Sequence, residues 1–471
     1  MNTPPESTPP PVPARATQGG EPGARKVPAE PAVWTERMLT ALVTGRKGNR
    51  FSDARRACRS SQCCFVSSAC DDRWFRLIDK VYRAETLRLA WEKVQSNAGG
   101  GGVDGITVGR FATDCPRGLL VLNEQRRQAT YQPKPVKRVW IPKPGSSEKR
   151  PLGIPVVRDR IVQTALRMVV EPIFEATFAE HSYGFRPGRG CKDALRRVQH
   201  LLDEGGTWVV DADLKSYFDP MPKDRLMRRV AERIADGRVL ALIRSYLDQG
   251  VLESLRYHEA GEDGTPQGAV ISPLLANIYL NPLDHLMAES GCEMVRYADD
   301  FVLLCRRRAA AEAALARVFC WPAEWVGGNG LKLHPEKTRI VDATQKGGCD
   351  FLGYHFERGY RWPREKSKDK LKTRVRELTP RRTCGGSLEH CIGQLNAVLC
   401  GWFGYFKHSH KTTFEPLDGY VRGRLRSLLR NRAGQRGRGR GKDHQPWRNH
   451  YFAKRGLFSL TQAHAEACRS P

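Results

Sequence analysis

The chain has 471 residues, enough for roughly two to four domains with a sizeable buried core. Its 78 Lys and Arg outnumber 51 Asp and Glu, and the formal net charge is +27. Ordinary metabolic enzymes are near-neutral, so this surplus of positive charge argues against that class of protein. It predicts a polyanionic partner. No segment approaches the roughly 18 consecutive apolar residues of a membrane span, and the N-terminus lacks the apolar core of a signal peptide. We therefore expect no membrane association and a cytosolic protein.

The first third of the chain contains three segments of distinct composition. Residues 1–33 are rich in proline and small polar residues, which predicts a disordered tail because little apolar surface can be buried. Over residues 74–94 the apolar positions recur at helical spacing and predict a helical segment. Residues 131–155 are rich in Pro, Lys and Arg, with a short predicted strand at 139–141 and a predicted hairpin at 143–150. Such a basic hairpin suits phosphate contact.

Two later segments predict strands that end in acidic residues. Residues 207–210 form an apolar strand that leads to Asp211 and Asp213, and helical sequence follows. Residues 294–297 and 301–304 flank Ala298, Asp299 and Asp300, which predicts a β-hairpin with two acidic residues at its tip. From residue 388 onward the apolar residues return to near-helical spacing and indicate a further, helical domain.

The aspartates at these strand ends are the candidate catalytic residues. If Asp213 and the pair Asp299 and Asp300 belong to one sheet, their carboxylates lie within a few ångströms and repel one another unless cations lie between them. Oxygen ligands are those that Mg²⁺ prefers, and two such ions can promote in-line nucleotidyl transfer. Because acidic turns also occur for purely structural reasons, the prediction depends on the combination with a strongly basic chain.

The sequence around these aspartates resembles a known family. Tyr297-Ala298-Asp299-Asp300 is similar to the signature of reverse transcriptases, and its neighbours resemble those of the reverse transcriptases (maturases) encoded by bacterial group II introns. Further blocks resemble that family in the family's order: residues 102–105 (GVDG), 150–155 (RPLGIP), 182–187 (SYGFRP), 264–268 (GTPQG), 331–338 (LKLHPEKT), 351–354 (FLGY) and 401–406 (GWFGYF). The resemblance covers roughly residues 72–465.

The resemblance implies an α+β right-hand polymerase with fingers, palm and a helical thumb. We expect fingers and palm in residues 34–380 and the thumb, or maturase domain, in residues 381–471. The implied activity is RNA-directed DNA synthesis from deoxynucleoside triphosphates on an RNA template with a DNA primer. The family architecture implies that Asp213, Asp299 and Asp300 hold two Mg²⁺ ions. Asp211 is more readily explained as a solvated neighbouring acid.

The same resemblance implies a nucleotide pocket. Lys143 and Arg150 flank the finger hairpin and are expected to bind the incoming triphosphate, Arg by bidentate contact and Lys as a point charge. Phe218 would form the aromatic wall that excludes a 2′-hydroxyl, with Tyr217 as the alternative if the register differs. Gln267 would reach the nucleotide or the template backbone from its Pro-Gln-Gly turn. Residues 351–354 resemble the block that holds the primer end.

A basic stretch near the C-terminus predicts RNA binding. Residues 419–442 hold nine Lys or Arg and no acid, and Arg422, Arg426 and Arg430 recur every four residues of a predicted amphipathic helix. Arg436 and Arg438 follow in a Gly-Arg segment suited to ordering on RNA. The resemblance implies that group II intron RNA is bound, that splicing is assisted, and that the intron is copied into target DNA, all within a cytosolic ribonucleoprotein.

Several features leave alternatives open. Pro322 and the glycines at 327–330 interrupt a segment that the family pattern makes a continuous helix, and Pro220 stands in an unusual turn. A maturase that binds RNA without useful polymerisation is one alternative. A related reverse transcriptase serving another retroelement or a defence system is a second, and an RNA-directed RNA polymerase is a weaker third.

Overall fold

A computed structural model of the chain describes residues 73–142, 149–215, 221–253, 256–259, 268–326, 332–333, 338–380, 386–435 and 441–469. The predicted tail at residues 1–33 lies outside these ranges. No helix in the described part is long and apolar enough to cross a bilayer.

Helices and strands follow one another in groups along the described part of the chain. The helices are α1 (Ile78–Val81), α2 (Ala84–Asn97), α3 (Val108–Thr113), α4 (Cys115–Arg127), α5 (Val157–Glu175), α6 (Cys191–Asp203), α7 (Lys223–Ala231), α8 (Gly237–Leu247), α9 (Ser272–Glu289), α10 (Arg308–Val326), α11 (Glu365–Leu378), α12 (Leu388–Phe406), α13 (Phe414–Arg432), α14 (Asn449–Ala453) and α15 (Leu460–Arg469). The strands are β1 (Val136–Pro142), β2 (Lys149–Ile154), β3 (Trp208–Lys215), β4 (Val251–Glu253), β5 (Arg256–His258), β6 (Glu293–Tyr297), β7 (Asp300–Cys305), β8 (Lys332–Leu333), β9 (Arg339–Asp342), β10 (Cys349–Phe351), β11 (Tyr354–Glu357) and β12 (Tyr360–Pro363).

The N-terminal helices pack through apolar stripes. In α2, Leu87, Trp91 and Val94 recur three to four residues apart and are buried, so the helix forms where this stripe meets the buried face of α5. The Asp236 carboxylate accepts hydrogen bonds from the backbone N–H groups of Leu77 and Ile78 at 2.6 and 3.0 Å, and it also caps α8. The predicted helical segment is confirmed, although two helices rather than one cover it.

A four-stranded sheet, in the order β2-β1-β4-β5, follows these helices. Strands β1 and β2 pair antiparallel from Lys137 with Ile154 to Pro142 with Lys149. The predicted strand at 139–141 is therefore present and longer than expected. The turn between β1 and β2 lies outside the described residues.

A second sheet, in the order β6-β7-β3-β8 with β9 also paired to β3, carries the acidic residues. Its strands alternate between two cores, as the period of two in a strand requires. Val210, Ala212 and Leu303 face the core made with the large helices, whereas Val209 and Val302 face a core made with α6 and β10. The predicted strand before Asp213 and the predicted hairpin are both confirmed.

Helix α10 corrects one expectation. We predicted that Pro322 interrupts this segment, but the helix extends from Arg308 to Val326 and includes that proline. A proline removes one amide donor, and here the loss is not enough to end the helix. The glycines at 327–330 and Pro220 lie outside the described residues.

The C-terminal part is helical, as predicted, and has its own core. Leu395, Leu399, Leu417 and Leu425 are buried there. Ser387 caps α12 by accepting a hydrogen bond from the N–H of His390. Helix α11 also contributes Leu371 and Val375 to this core. The core of the helical part therefore begins before residue 381, the domain boundary predicted from the sequence.

Candidate active site

The backbone brings the three predicted catalytic aspartates to one end of one sheet. Asp213 of β3 is the register partner of Asp300 of β7, and Tyr297 of β6 is the partner of Asp300 on its other side. Partner Cα atoms in antiparallel strands lie about 4.5 to 5.5 Å apart. Asp299 occupies the two-residue turn between β6 and β7 and, like Asp300, is half-buried. The strand and the hairpin thus meet as predicted, but Asp213 lies inside β3, which continues to Lys215, and not at the strand end that the sequence predicted.

The turn adopts a conformation that needs support. Ala298 has φ +60°, in the left-handed region that residues other than glycine seldom occupy. Tight hairpin turns demand positive φ because their twist must match that of the flanking strands. The surroundings therefore have to hold Ala298 in place, and two neighbouring features do so.

The first feature is Arg296, a fully buried arginine one residue before the signature tyrosine. Its guanidinium donates to the carbonyl oxygen of Ala298 at 2.9 Å, which fixes the turn directly. The same group donates to Asn277 Oδ1 at 3.0 Å and to Ser182 Oγ at 2.7 Å. It also donates to both oxygens of the Asp284 carboxylate, to Oδ1 at 2.7 Å. Burial of this charge is tolerated because each nitrogen has partners.

The second feature is Gly184. A Cβ at this position would lie 2.2 Å from the backbone nitrogen of Ala298, so any side chain would displace the turn. Asn277 donates its side-chain amide to the Gly184 carbonyl at 2.8 Å, and the N–H of Tyr183 donates to the Arg296 carbonyl at 2.9 Å. Residues 182–187 are thus a backbone support for the turn, a role that sequence reasoning did not assign to them.

Tyr297 and Asp211 border the aspartates. A hydrogen bond with the Cys191 thiol, assisted by burial, raises the pKa of Tyr297 to about 12, so its hydroxyl stays protonated at neutral pH. Burial also raises the pKa of the Asp211 carboxyl, while Arg339 donates to Asp211 Oδ2 at 3.2 Å and acts in the opposite direction. Asp211 is thus largely buried and paired with Arg339, which differs from the solvated acid that we expected.

The predicted nucleotide pocket is described in part. Lys143, Phe218 and Gln267 lie outside the described residues. Arg150 is exposed on β2, paired with Ile141 of β1. Gly268, which follows Gln267, has φ +104°, and a Cβ there would lie 2.5 Å from the Gly153 carbonyl oxygen. Gly268 therefore packs closely on β2, the strand that carries Arg150.

The predicted primer-end block forms the tight turn between β10 and β11, where Phe351 pairs with Tyr354. Both rings are buried. Leu352 and Gly353 make the turn with φ values of +46° and +83°. Strand β10 packs against β3 and β7, so this turn lies near the sheet that carries the three aspartates.

The predicted RNA-binding arginines of α13 require a correction. Arg426 is 3% exposed and donates to the Trp447 carbonyl at 2.9 Å and to Asn449 Oδ1 at 2.7 Å. Arg430 donates to both carboxylate oxygens of Asp443 at 3.0 Å. The prediction was wrong for Arg426 as an outward-facing phosphate ligand, because residues 447–452 cover it and its guanidinium lies 5.5 Å from the Phe452 ring. The partner of Arg430, Asp443, lies one residue beyond the acid-free stretch and was not considered in the prediction from the sequence.

Arg422 is half-buried, and Arg436 and Arg438 lie outside the described residues.

The aspartates form a donor set that suits a divalent cation, since all their ligand atoms are carboxylate oxygens. Within the described side chains, which do not include that of Asp213, no group of three or more His, Cys, Asp or Glu is arranged to hold a metal ion. The register of Asp213 with Asp300, beside Asp299 in the turn, is the observation that fits a metal here.

One aspartate on a strand and two at an adjacent hairpin thus lie at one end of an antiparallel sheet covered by helices. The family profile described as "Reverse transcriptase (RNA-dependent DNA polymerase)" matches residues 141–356. The profile described as "Group II intron, maturase-specific domain" matches residues 368–445.

The chain is also similar to individual proteins. Protein YkfC of Escherichia coli (strain K12) is 35% identical over 322 residues, which cover 60% of this chain and 83% of YkfC. The group II intron-encoded protein LtrA of Lactococcus lactis subsp. cremoris is 35% identical over 221 residues, 46% of this chain but 36% of LtrA. Apo telomerase from Candida tropicalis is 13% identical with a TM-score of 0.43, covering 69% of this chain and 59% of the telomerase.

The chain belongs to the reverse transcriptases encoded by group II introns. It is an RNA-directed DNA polymerase with fingers, palm and a helical C-terminal part, and it carries the maturase domain through which this family serves intron splicing and mobility. The expected family, fold class and activity are confirmed. The assignment of individual site residues stays a prediction.

Proposed function

We propose that Asp213, Asp299 and Asp300 hold two Mg²⁺ ions and that the chain uses them to extend a DNA primer on an RNA template with deoxynucleoside triphosphates. The register that pairs Asp213 with Asp300 supports this proposal. When bound, the two ions would favour ionisation of the primer 3′-hydroxyl and stabilise the charge on the leaving pyrophosphate. The carboxylates supply the negative charge that makes such binding favourable.

The chain's own residues position the reacting groups. Arg296 and Gly184 fix the turn that carries Asp299, so the carboxylate needs no reorganisation when substrate arrives. Lys143 and Arg150 bind the triphosphate of the incoming nucleotide. Phe218 excludes a 2′-hydroxyl by its bulk and so selects deoxynucleotides. Gln267 contacts the nucleotide or the template next to it.

The maturase domain supports binding of the group II intron RNA. We assign phosphate contact to Arg422, Arg436 and Arg438, and we assign the internal ion pair with Asp443 to Arg430. The protein and its intron then form a ribonucleoprotein in the bacterial cytosol that inserts intron sequence into target DNA. The net charge of +27 supports a polyanionic partner of this kind.

Primer extension on an RNA template tests the proposal. We expect Mg²⁺-dependent incorporation of deoxynucleotides rather than ribonucleotides. Asp299→Ala removes a proposed metal ligand and should lower the rate by at least about a thousandfold, the scale of losing an essential electrostatic group. Glu415→Gln, an exposed carboxylate at the start of α13, is the matched control and should leave the rate unchanged.

Two results would contradict the assignment. Extension by Asp299→Ala at the wild-type rate would remove this residue from the site. A soluble wild-type protein that binds structured RNA but extends no primer would favour a maturase without polymerase activity.

A further inference from the structure

The turn of Leu352 and Gly353 is held by a helix of the C-terminal domain. Leu352 has φ +46°, in the left-handed region that residues with a Cβ seldom adopt. A two-residue turn in this conformation keeps its geometry only where the surroundings determine it. The groups that surround it come from the end of α12, within the block at residues 401–406.

Tyr354 and Tyr405 exchange hydrogen bonds across this contact. The Tyr405 hydroxyl donates to the Leu352 carbonyl oxygen at 2.7 Å. In return, the Tyr354 hydroxyl donates to the Tyr405 carbonyl oxygen at 2.7 Å. The two ring centres are 5.9 Å apart. Two reciprocal bonds constrain both the position and the orientation of the turn, which one bond could not do.

Phe406 completes the contact. It is buried, its ring lies 5.0 Å from that of Tyr354, and a Cβ at Gly353 would be 3.7 Å from its edge. The underside of the turn is therefore packed against α12, while the Tyr405 hydroxyl fixes the carbonyl of its first residue. The ring of Tyr405 supplies packing, whereas its hydroxyl supplies the hydrogen bond that positions the turn. Removing the hydroxyl alone therefore separates the two contributions.

Tyr405 also packs near the catalytic hairpin. Tyr297, Leu352 and Tyr405 are half-buried and pack against one apolar cluster, which includes Val295 and Val302 of the two hairpin strands. Tyr297 stands two residues before Asp299. One residue of α12 thus contacts the turn of the predicted primer-end block and shares a core with the hairpin that carries Asp299.

We propose that Tyr405 is a positioning residue that sets the Leu352–Gly353 turn against the catalytic hairpin and so aligns the primer 3′ end. This inference rests on the proposed function and on the primer-end role that the family resemblance implies for residues 351–354. It gives the helical domain a part in catalysis: α12 places one wall of the primer site. Tyr405 does not touch the reacting atoms.

Tyr405→Phe is the test, with Tyr420→Phe as the matched control. Tyr420 is also half-buried in the helical domain, and its hydroxyl donates to the Lys372 carbonyl at 3.2 Å and accepts from Arg376. Each variant loses one hydroxyl, so we expect similar, small falls in thermal midpoint. Only Tyr405→Phe should lower kcat/KM for the primer–template, by about tenfold, the scale of one lost hydrogen bond to a buried carbonyl.

A readout independent of chemistry separates this inference from the proposed function. A primer with 2-aminopurine at its 3′ end reports by fluorescence whether that base is seated. We expect the seated signal in wild type and Tyr420→Phe and a reduced signal in Tyr405→Phe. An unchanged signal and rate in Tyr405→Phe, or equal losses in both variants, would overturn the inference. Wild type that seats the primer without extending it would contradict the proposed function alone.

Discussion

At the residue scale, Arg296 determines the geometry of the catalytic turn. It joins a buried ion pair with Asp284 to a hydrogen bond with the Ala298 carbonyl. Arg296→Met should lower the free energy of unfolding by roughly 3 to 5 kcal/mol, because Asp284 would stay buried without its partner. Chemical denaturation measures this loss, and primer extension should fall with it.

The double variant Arg296→Met with Asp284→Leu separates stability from positioning. Apolar side chains of similar volume often replace a buried ion pair at no cost, so we expect most of the lost stability to return. Extension should stay low because nothing then holds the Ala298 carbonyl. Recovery of both properties would show that the arginine only satisfies Asp284.

At the scale of the element, α13 carries arginines of two kinds. Arg426 is buried with partners at Trp447 and Asn449, whereas Arg422 on the preceding turn is half-buried. Arg426→Ala should lower the free energy of unfolding by about 2 to 3 kcal/mol through lost packing and unpaired acceptors. Arg422→Ala should change it by less than about 0.5 kcal/mol. Thermal and denaturant unfolding of the two variants make the comparison.

RNA binding should show the opposite order. We expect Arg422→Ala to reduce the slope of log affinity against log salt by about 0.7 to 0.9, the value for one phosphate contact. Arg426→Ala, measured below its unfolding transition, should keep the wild-type slope. Equal slopes for Arg422→Ala and wild type would remove Arg422 from the RNA interface.

At the scale of the whole molecule, the sequence predicted the strands and turns that depend on local patterns of residues. The strand before Asp213 and the hairpin around Asp299 follow from a period of two between acidic turns. The support of that hairpin was not predictable, because Gly184 meets Ala298 only through a tertiary contact and the buried partners that hold Arg296 come from distant residues. The inward direction of Arg426 was missed for the same reason: spacing shows which residues share a helix face but not which face is covered.

The charge of the whole chain leads to a prediction about specificity. A net charge of +27 attracts any polyanion, so at low salt the protein should bind intron RNA and an unrelated structured RNA of equal length with similar affinity. Raising salt from about 50 to about 200 mM weakens contacts that depend on counterion release. Contacts to intron-specific shape and unpaired bases persist better. The ratio of the affinity for intron RNA to the affinity for the unrelated RNA, measured by filter binding, should therefore rise with salt across this range. A constant ratio would mean that both RNAs are held through the same number of phosphate contacts.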